Sequence, residues 1–268
     1  MTISSVDTIA SALAAPCQKI NFMKNITVPK AIGSWQSSWL GTGNPGAGAT
    51  APVYTAGSGY TCDDATTGGF IYNNATVQNY LAKWFQTSVV AGTFLLMDRL
   101  WSCSGMGFAI NTYTVTTPGE LPARITDYGV GCELWTEQFV AAGSASGTLT
   151  CVYKNAADSS ETGVIPAVVS SPLIGQMQQV PLQSGAGLSV RSLVSVANSA
   201  TWTSGSWGMT ICKRIAQIDV YPAAQGKTLD WAALALPQIP NDACLFLIWQ
   251  GGAATASQVI GTLAIIDA

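Results

Sequence analysis

The sequence contains no histidine. That absence removes the Ser-His-Asp and Cys-His nucleophile systems, the HExxH metal helix and the ordinary proton shuttle near neutral pH. Neither a GxSxG elbow nor an SxxK motif occurs, and "TSGSWG" sets its serine in a turn without a base. Charge is scarce as well: Asp, Glu, Lys and Arg make up 9% of the chain, against about 25% in an average soluble domain. With eleven Lys plus Arg, a net charge of −3 and no basic run, the chain lacks the clustered cations that phosphate backbones and anionic membranes require. Long apolar runs are missing too. The most apolar stretch, "YLAKWFQTSVVAGTFLLMDRLW", has only 14 uncharged residues between Lys83 and Asp98, short of the roughly 18 that a spanning helix needs. The expected partners therefore include neither nucleic acid nor membrane.

The seven cysteines are odd in number, widely spaced and form no CxxC pair, which excludes the usual zinc site. Several fall inside alternating apolar runs, as in "LTCVY" and "MTICK", where a reduced cysteine acts as a small core residue. They read as free thiols of a chain that folds in a reducing cytoplasm. No metal and no cofactor is expected.

Three further constellations resemble chemistry on paper. "GTGNPG" at Gly41–Gly46 matches GxGxxG literally, but no helix pattern follows to present amides to a pyrophosphate, so it reads as a loop. Asp63 and Asp64 lack the spaced ligands of a calcium loop and read as a turn. Glu133 and Glu137, four apart with Trp135 between them, share a strand face; this reads as the wet side of an antiparallel sheet, since nothing supplies the raised acid that glycoside cleavage needs. The chain is not expected to be an enzyme.

What is present is apolar and small: 48% hydrophobic residues, 27 Gly and nine Trp. A surface of Ser, Thr, Asn, Gln, Gly and Ala is cheap to desolvate, which favours extensive protein contact. "MTISSVDTIASALAAPC" superficially resembles a lipoprotein cleavage site, but it has no cationic start, carries Asp7 and sets Pro16 before the cysteine, so it reads as no signal. It predicts a short helix capped by Ser4 or Ser5, with Val6, Ile9 and Leu13 on one face. The stretch to about residue 75 reads as extended arm and loops, and 76–268 as a single β-sandwich domain. At its start Val77, Tyr80, Leu81, Trp84 and Phe85 recur at helical spacing behind Asn74, predicting an amphipathic helix over about 75–89; Ala91-Gly92 breaks it, and "TFLLMDRLW" reads as a buried strand. From Gly105 on, seven strand-like runs alternate with breaker clusters, and an eighth precedes them. The fold class is mainly β: an antiparallel β-sandwich or jelly roll with an N-terminal helix and extended arm, plus the further amphipathic helix.

The segments "ISSVDTIASALAAPCQKINFMKN", "VPLQSGAGLSVRSLVSV", "SGSWGMTICKRI" and "LFLIWQGGAATASQVIGTLAIID" together resemble virion structural proteins of tailed bacteriophages. The likeness spans nearly the whole chain and carries no catalytic signature. It implies a virion protein, made and assembled in the host cytoplasm, whose partners are capsid or other virion subunits. The strand-dominated pattern and the lack of a long charged helix favour a decoration or cement protein, expected to be a homo-oligomer, with a trimer as the stoichiometry. Val6, Ile9, Leu13, Trp35 and Trp39 are the expected interface anchors. The alternative is a receptor- or glycan-binding virion surface or tail protein, with Trp202 and Trp207 as the sugar platform.

Overall fold

Two helices and seventeen strands follow one another in the computed structural model, which describes residues 6–15, 17–26, 31–55, 60–75, 78–107, 111–115, 121–144, 147–183, 188–199 and 204–267. In chain order they are α1 (Val6–Ala14), β1 (Gln18–Ile26), β2 (Trp35–Ser37), β3 (Thr42–Asn44), β4 (Tyr60–Thr61), β5 (Asn79–Ser88), β6 (Gly92–Met106), β7 (Asn111–Thr114), β8 (Cys132–Val140) and β9 (Leu149–Lys154). Then come β10 (Ser160–Ile165), β11 (Gln176–Gln179), β12 (Ser192–Asn198), β13 (Ser206–Val220), β14 (Lys227–Asp230), α2 (Trp231–Leu234), β15 (Gln238–Ile239), β16 (Leu245–Gly251) and β17 (Ser257–Asp267). The mainly β, antiparallel architecture with an N-terminal helix is the one expected from the sequence.

The strands form three sheets. In the largest, the order β13-β8-β11-β2-β16-β6 closes on itself because β13 also pairs with β6 along the length of both strands, with β4 attached outside the ring. Closure leaves these strands with no free edge. A second sheet runs β14-β5-β17-β1-β3, with β15 also on β5, and a third runs β10-β9-β12-β7.

Three apolar clusters follow from this layout. Leu95, Met97, Trp135, Phe246 and Ile248 fill the barrel with Trp39. Phe94, Leu96, Leu245, Leu247 and Trp249, the alternate residues of the same strands, pack with Trp84 and Leu263 of the second sheet. Leu100, Leu134 and Ile211 pack with Leu149, Tyr153 and Val196 of the third. Barrel strands thus bury both faces, which is why "TFLLM" in β6 reads as a continuous apolar run instead of alternating.

The helix expected over about 75–89 is instead strand β5. The cause is a bulge: the register opposite β17 jumps from Lys83↔Ala264 to Leu81↔Ile265, leaving Ala82 as the extra residue. Leu81 and Trp84, three apart, therefore face the same core, while Tyr80 and Ala82 face α1. A bulged strand so reproduces helical spacing. Val77, the first term of that pattern, lies outside the described residues. The break is where expected, between Ser88 and Gly92, and a Cβ on Gly92 would come within 2.3 Å of the Trp249 indole nitrogen.

Candidate functional site

The chemistry-bearing side chains gather in and around the barrel. Strand β6 turns Arg99 to the interior, where its Nη2 lies 2.7 Å from Glu137 Oε2 of β8, with both side chains fully buried. Thr210 of β13 donates its hydroxyl to the same oxygen at 3.0 Å. The guanidinium lies 4.4 Å from the Trp39 ring centre and 5.4 Å from that of Phe246, a cation–π arrangement strengthened by the absence of water. Burial opposes the Arg99 charge, and Glu137, aided by the Cys62 and Cys244 thiols, outweighs it, so the arginine is held above its ordinary range.

The neighbouring Asp98 points to the other side of β6. Arg124 binds it through Nε at 2.9 Å and Nη2 at 2.8 Å, and the Cys244 amide donates to it at 2.9 Å. Arg124 Nη2 also donates to the Cys62 carbonyl at 2.8 Å, so one guanidinium ties two distant segments to the barrel wall. Burial pushes the Asp98 carboxyl up, and this bidentate contact works against it.

Glu133 and Glu137 do share a strand face with Trp135, but that face turns into the barrel and not to water. Glu133 sits at the rim, 2.7 Å from Arg214 and accepting the Trp135 indole N–H at 2.9 Å. Each carboxylate is engaged by an arginine, and Glu137 is not reachable from solvent. Among the described residues no cluster of His, Cys, Asp or Glu could hold a metal ion. No described helix is long and apolar enough to cross a membrane.

The expected interface anchors separate. Trp39 is 1% exposed, inside the barrel, with its indole N–H donated to Ala49 O at 2.9 Å. Trp35 is half-buried and meets Trp135 edge-on at 5.6 Å. Trp39, just past the end of β2, is a core residue, and Trp35 packs against the same cluster from β2, an internal barrel strand. In α1 the buried residue is Ala12, Ile9 is half-buried and Leu13 is exposed, so the helix is rotated from the expected face. Val6 begins the helix, and its side chain lies outside the described set. Of the expected sugar platform, Trp202 lies outside the described residues. Trp207 is buried against Tyr113 and donates its indole N–H to Gly107 O at 2.9 Å, so it presents no face to solvent.

Sequence reasoning missed Lys24. Fully buried in β1, it donates to the carbonyls of Gly41 at 3.3 Å and Gly46 at 3.0 Å, and burial pulls its amine down to about 8. The "GTGNPG" motif is thus a short strand and turn clamped on a lysine. Its glycines serve close backbone approach: Gly43 has φ +136°, and a Cβ there would lie 1.9 Å from Met23 O. The only hint in the sequence is a lone cation within "INFMKNI".

Six cysteines are buried and Cys17 is half-buried, all as free thiols. Burial raises Cys103, Cys132 and Cys151 to about 12. Burial would also raise Cys62, but the hydrogen bond with Cys244 and the charges of Arg99 and Arg124 prevail and lower it.

The fold and its inward-facing charges define a mainly β protein with a polar barrel centre, and comparison with known proteins adds little to that class. No protein-family model and no curated protein matches the chain. Among solved structures it is similar to the Gt strain of infectious bursal disease virus, at 8% identity and a TM-score of 0.19 over 94% of this chain and 80% of that one. It is similar also to the VP2 subviral particle of that virus, at 8% identity and a TM-score of 0.20 over 94% and 81%. The T13 particle gives 8% identity and 0.20 over 94% and 78%. Likeness this slight transfers neither a fold nor a role.

Proposed function

We propose that the chain is a structural subunit of a virus particle, and more finely a homo-oligomeric protein that decorates or cements a bacteriophage capsid. One observation carries the reading: the exterior is sparsely charged and made of small polar residues among which single large apolar side chains stand exposed, while a charged cluster is paired off in the interior. Arg99, Glu137 and Asp98 are buried and paired, while Ile32, Ile71, Tyr128, Leu188 and Tyr221 are each more than half exposed. A surface of small neutral residues carrying single apolar side chains is inexpensive to cover with other subunits. The resemblance of the quoted segments to tailed-phage virion proteins supports the same reading. Repeated modest contacts then act through multiplicity, raising the force or temperature needed to open a shell. α1 lies outside the barrel with Leu13 free, which suits a docking element.

The native mass tests this. Expressed alone, the chain should sediment as a homo-oligomer, a trimer being the expected form, and a monomer at about 100 μM, where even a weak assembly contact of order 10 μM would be occupied, would overturn the reading. Removal of residues 1–15 should weaken attachment to particles without unfolding the chain. A longer deletion is uninformative, because β1 is an interior strand of its sheet and β2 closes the barrel.

A further inference from the structure

The outer face of the second sheet holds a trough of about 320 Å³ lined by Lys19, Asn21, Lys83, Phe85, Thr262 and Ala264. The register explains its shape. Lys19 of β1 and Lys83 of β5 both pair with Ala264 of the intervening β17, and on the next rung Asn21 and Phe85 both pair with Thr262. The two lysine Cα atoms are therefore about 10 Å apart, two strand spacings, with only a methyl between them. On the other side of the lysine rung, Ile266 and Tyr80 are covered by α1 through Ala12.

Neither lysine has an ion-pair partner among the described residues, whereas Arg99, Arg124, Arg191, Lys213 and Arg214 each have one. Asp230 stands across from Lys83 on the adjacent strand, but its carboxylate accepts the Ala233 amide at 3.0 Å as the cap of α2 and makes no ion pair with Lys83. Beside the cations lie neutral hydrogen-bonding groups. Thr262 donates its hydroxyl to Asn21 Oδ1 at 2.8 Å, which leaves the Asn21 amide N–H₂ and the Thr262 lone pairs for a ligand. Phe85 and Ala264 supply apolar surface.

From this juxtaposition we infer that the trough is a binding site for a single carboxylate-bearing sugar residue. Two flexible ammonium groups converge over Ala264 on the carboxylate, Asn21 and Thr262 meet ring hydroxyls, and Phe85 packs against the apolar part of the ring. The volume is at the small end of ligand pockets and suits one ring. An acidic protein side chain would use the lysines but leave the Asn21–Thr262 pair and Phe85 without a role.

The test is binding of free glucuronic acid and N-acetylneuraminic acid to the full chain, followed by saturation-transfer NMR, with glucose, N-acetylglucosamine, glutamate and inorganic phosphate as comparisons. At least one acidic sugar should bind with a Kd in the millimolar range, as befits a small exposed site, and weaken as salt is raised. Glucose and N-acetylglucosamine, and separately the Lys19→Ala/Lys83→Ala variant, should each bind about tenfold more weakly, the equivalent of losing one charge-assisted contact. Thr262→Val and Phe85→Leu, which keep the strand pattern, should weaken the acidic sugars but not glutamate. Equal binding of charged and uncharged sugars, or of glutamate and phosphate as tightly as the acidic sugars, would overturn the inference. So would loss of self-association in the lysine variant with no sugar bound by the parent, since the lysines would then serve a protein carboxylate. A monomeric chain that still binds the acidic sugar would refute the shell reading and leave this site intact.

Discussion

Lys24 gives the sharpest thermodynamic prediction. Its ammonium titrates at about 8 in the folded chain and at 10.5 as a free side chain, so keeping it charged and buried costs the folded state about 3 kcal/mol at about 1.4 kcal/mol per pH unit. Between these two values the unfolded chain holds a proton that the folded chain has released. Unfolding then takes up a proton, and stability rises with pH across that window. The penalty is present in full below about pH 8 and fades towards 10.5. Replacing the residue, Lys24→Met, removes the titration but also the two bonds to Gly41 and Gly46, a loss that does not vary with pH. The stability gap between parent and variant should therefore shift by about 2 kcal/mol in favour of the parent from about pH 7.5 to about pH 9.5. Urea unfolding followed by tryptophan fluorescence measures the gap at each pH, and the buried thiols, which titrate in both proteins, cancel. A gap that stays constant would refute the reasoning, because the amine would then have the same proton affinity folded and unfolded.

Arg99→Met and Glu137→Leu should each lose about 3–5 kcal/mol, since each strands a buried charge, while the double variant should be more stable than either single one; additive losses in a denaturation cycle would speak against a coupled pair. Phe94→Pro or Leu96→Pro interrupts a strand paired on both sides, with β13 and β16, and should cost about 3 kcal/mol or more; calorimetry showing normal stability would remove β6 from the sheet. Ellman's reagent should label Cys17 alone in the native chain and the other six cysteines only after unfolding, because those six are buried. Rapid labelling of a second thiol would contradict that burial.

Strand-forming segments were legible where one face is wet and the alternation is clean, as in β9, where buried and half-buried residues alternate along "LTCVYK", but not in β1, which was read as arm because its buried positions include a lysine. They were legible also as unbroken apolar runs where both faces are buried, as in β6. Features set by partner strands were not. The bulge at Ala82 gave β5 a three-residue spacing that local pattern reading assigns to a helix, and only the partner strand β17 reveals the extra residue. Barrel closure depends on β13 pairing with both β8 and β6, a long-range relation with no local signature. It is also what turned Glu133, Trp135 and Glu137 inward: the shared face was correctly inferred, its direction was not. The lysine trough was invisible for the same reason, since Lys19, Lys83 and Ala264 meet only through sheet order.

The pairing of β1 with β17 joins the first described strand to the last, in an unbroken register from Gln18↔Ile265 to Ile26↔Ser257. During synthesis β1 leaves the ribosome well before β17, with every other strand of the three sheets made in between. Completion of that sheet is thus a late event, slow in the manner of folds dominated by distant contacts, and β1 must be kept from foreign strands in the interval. A chain interrupted between the two would leave β1 without its nine-residue partner, which makes the arrival of β17 the step that closes this sheet around it.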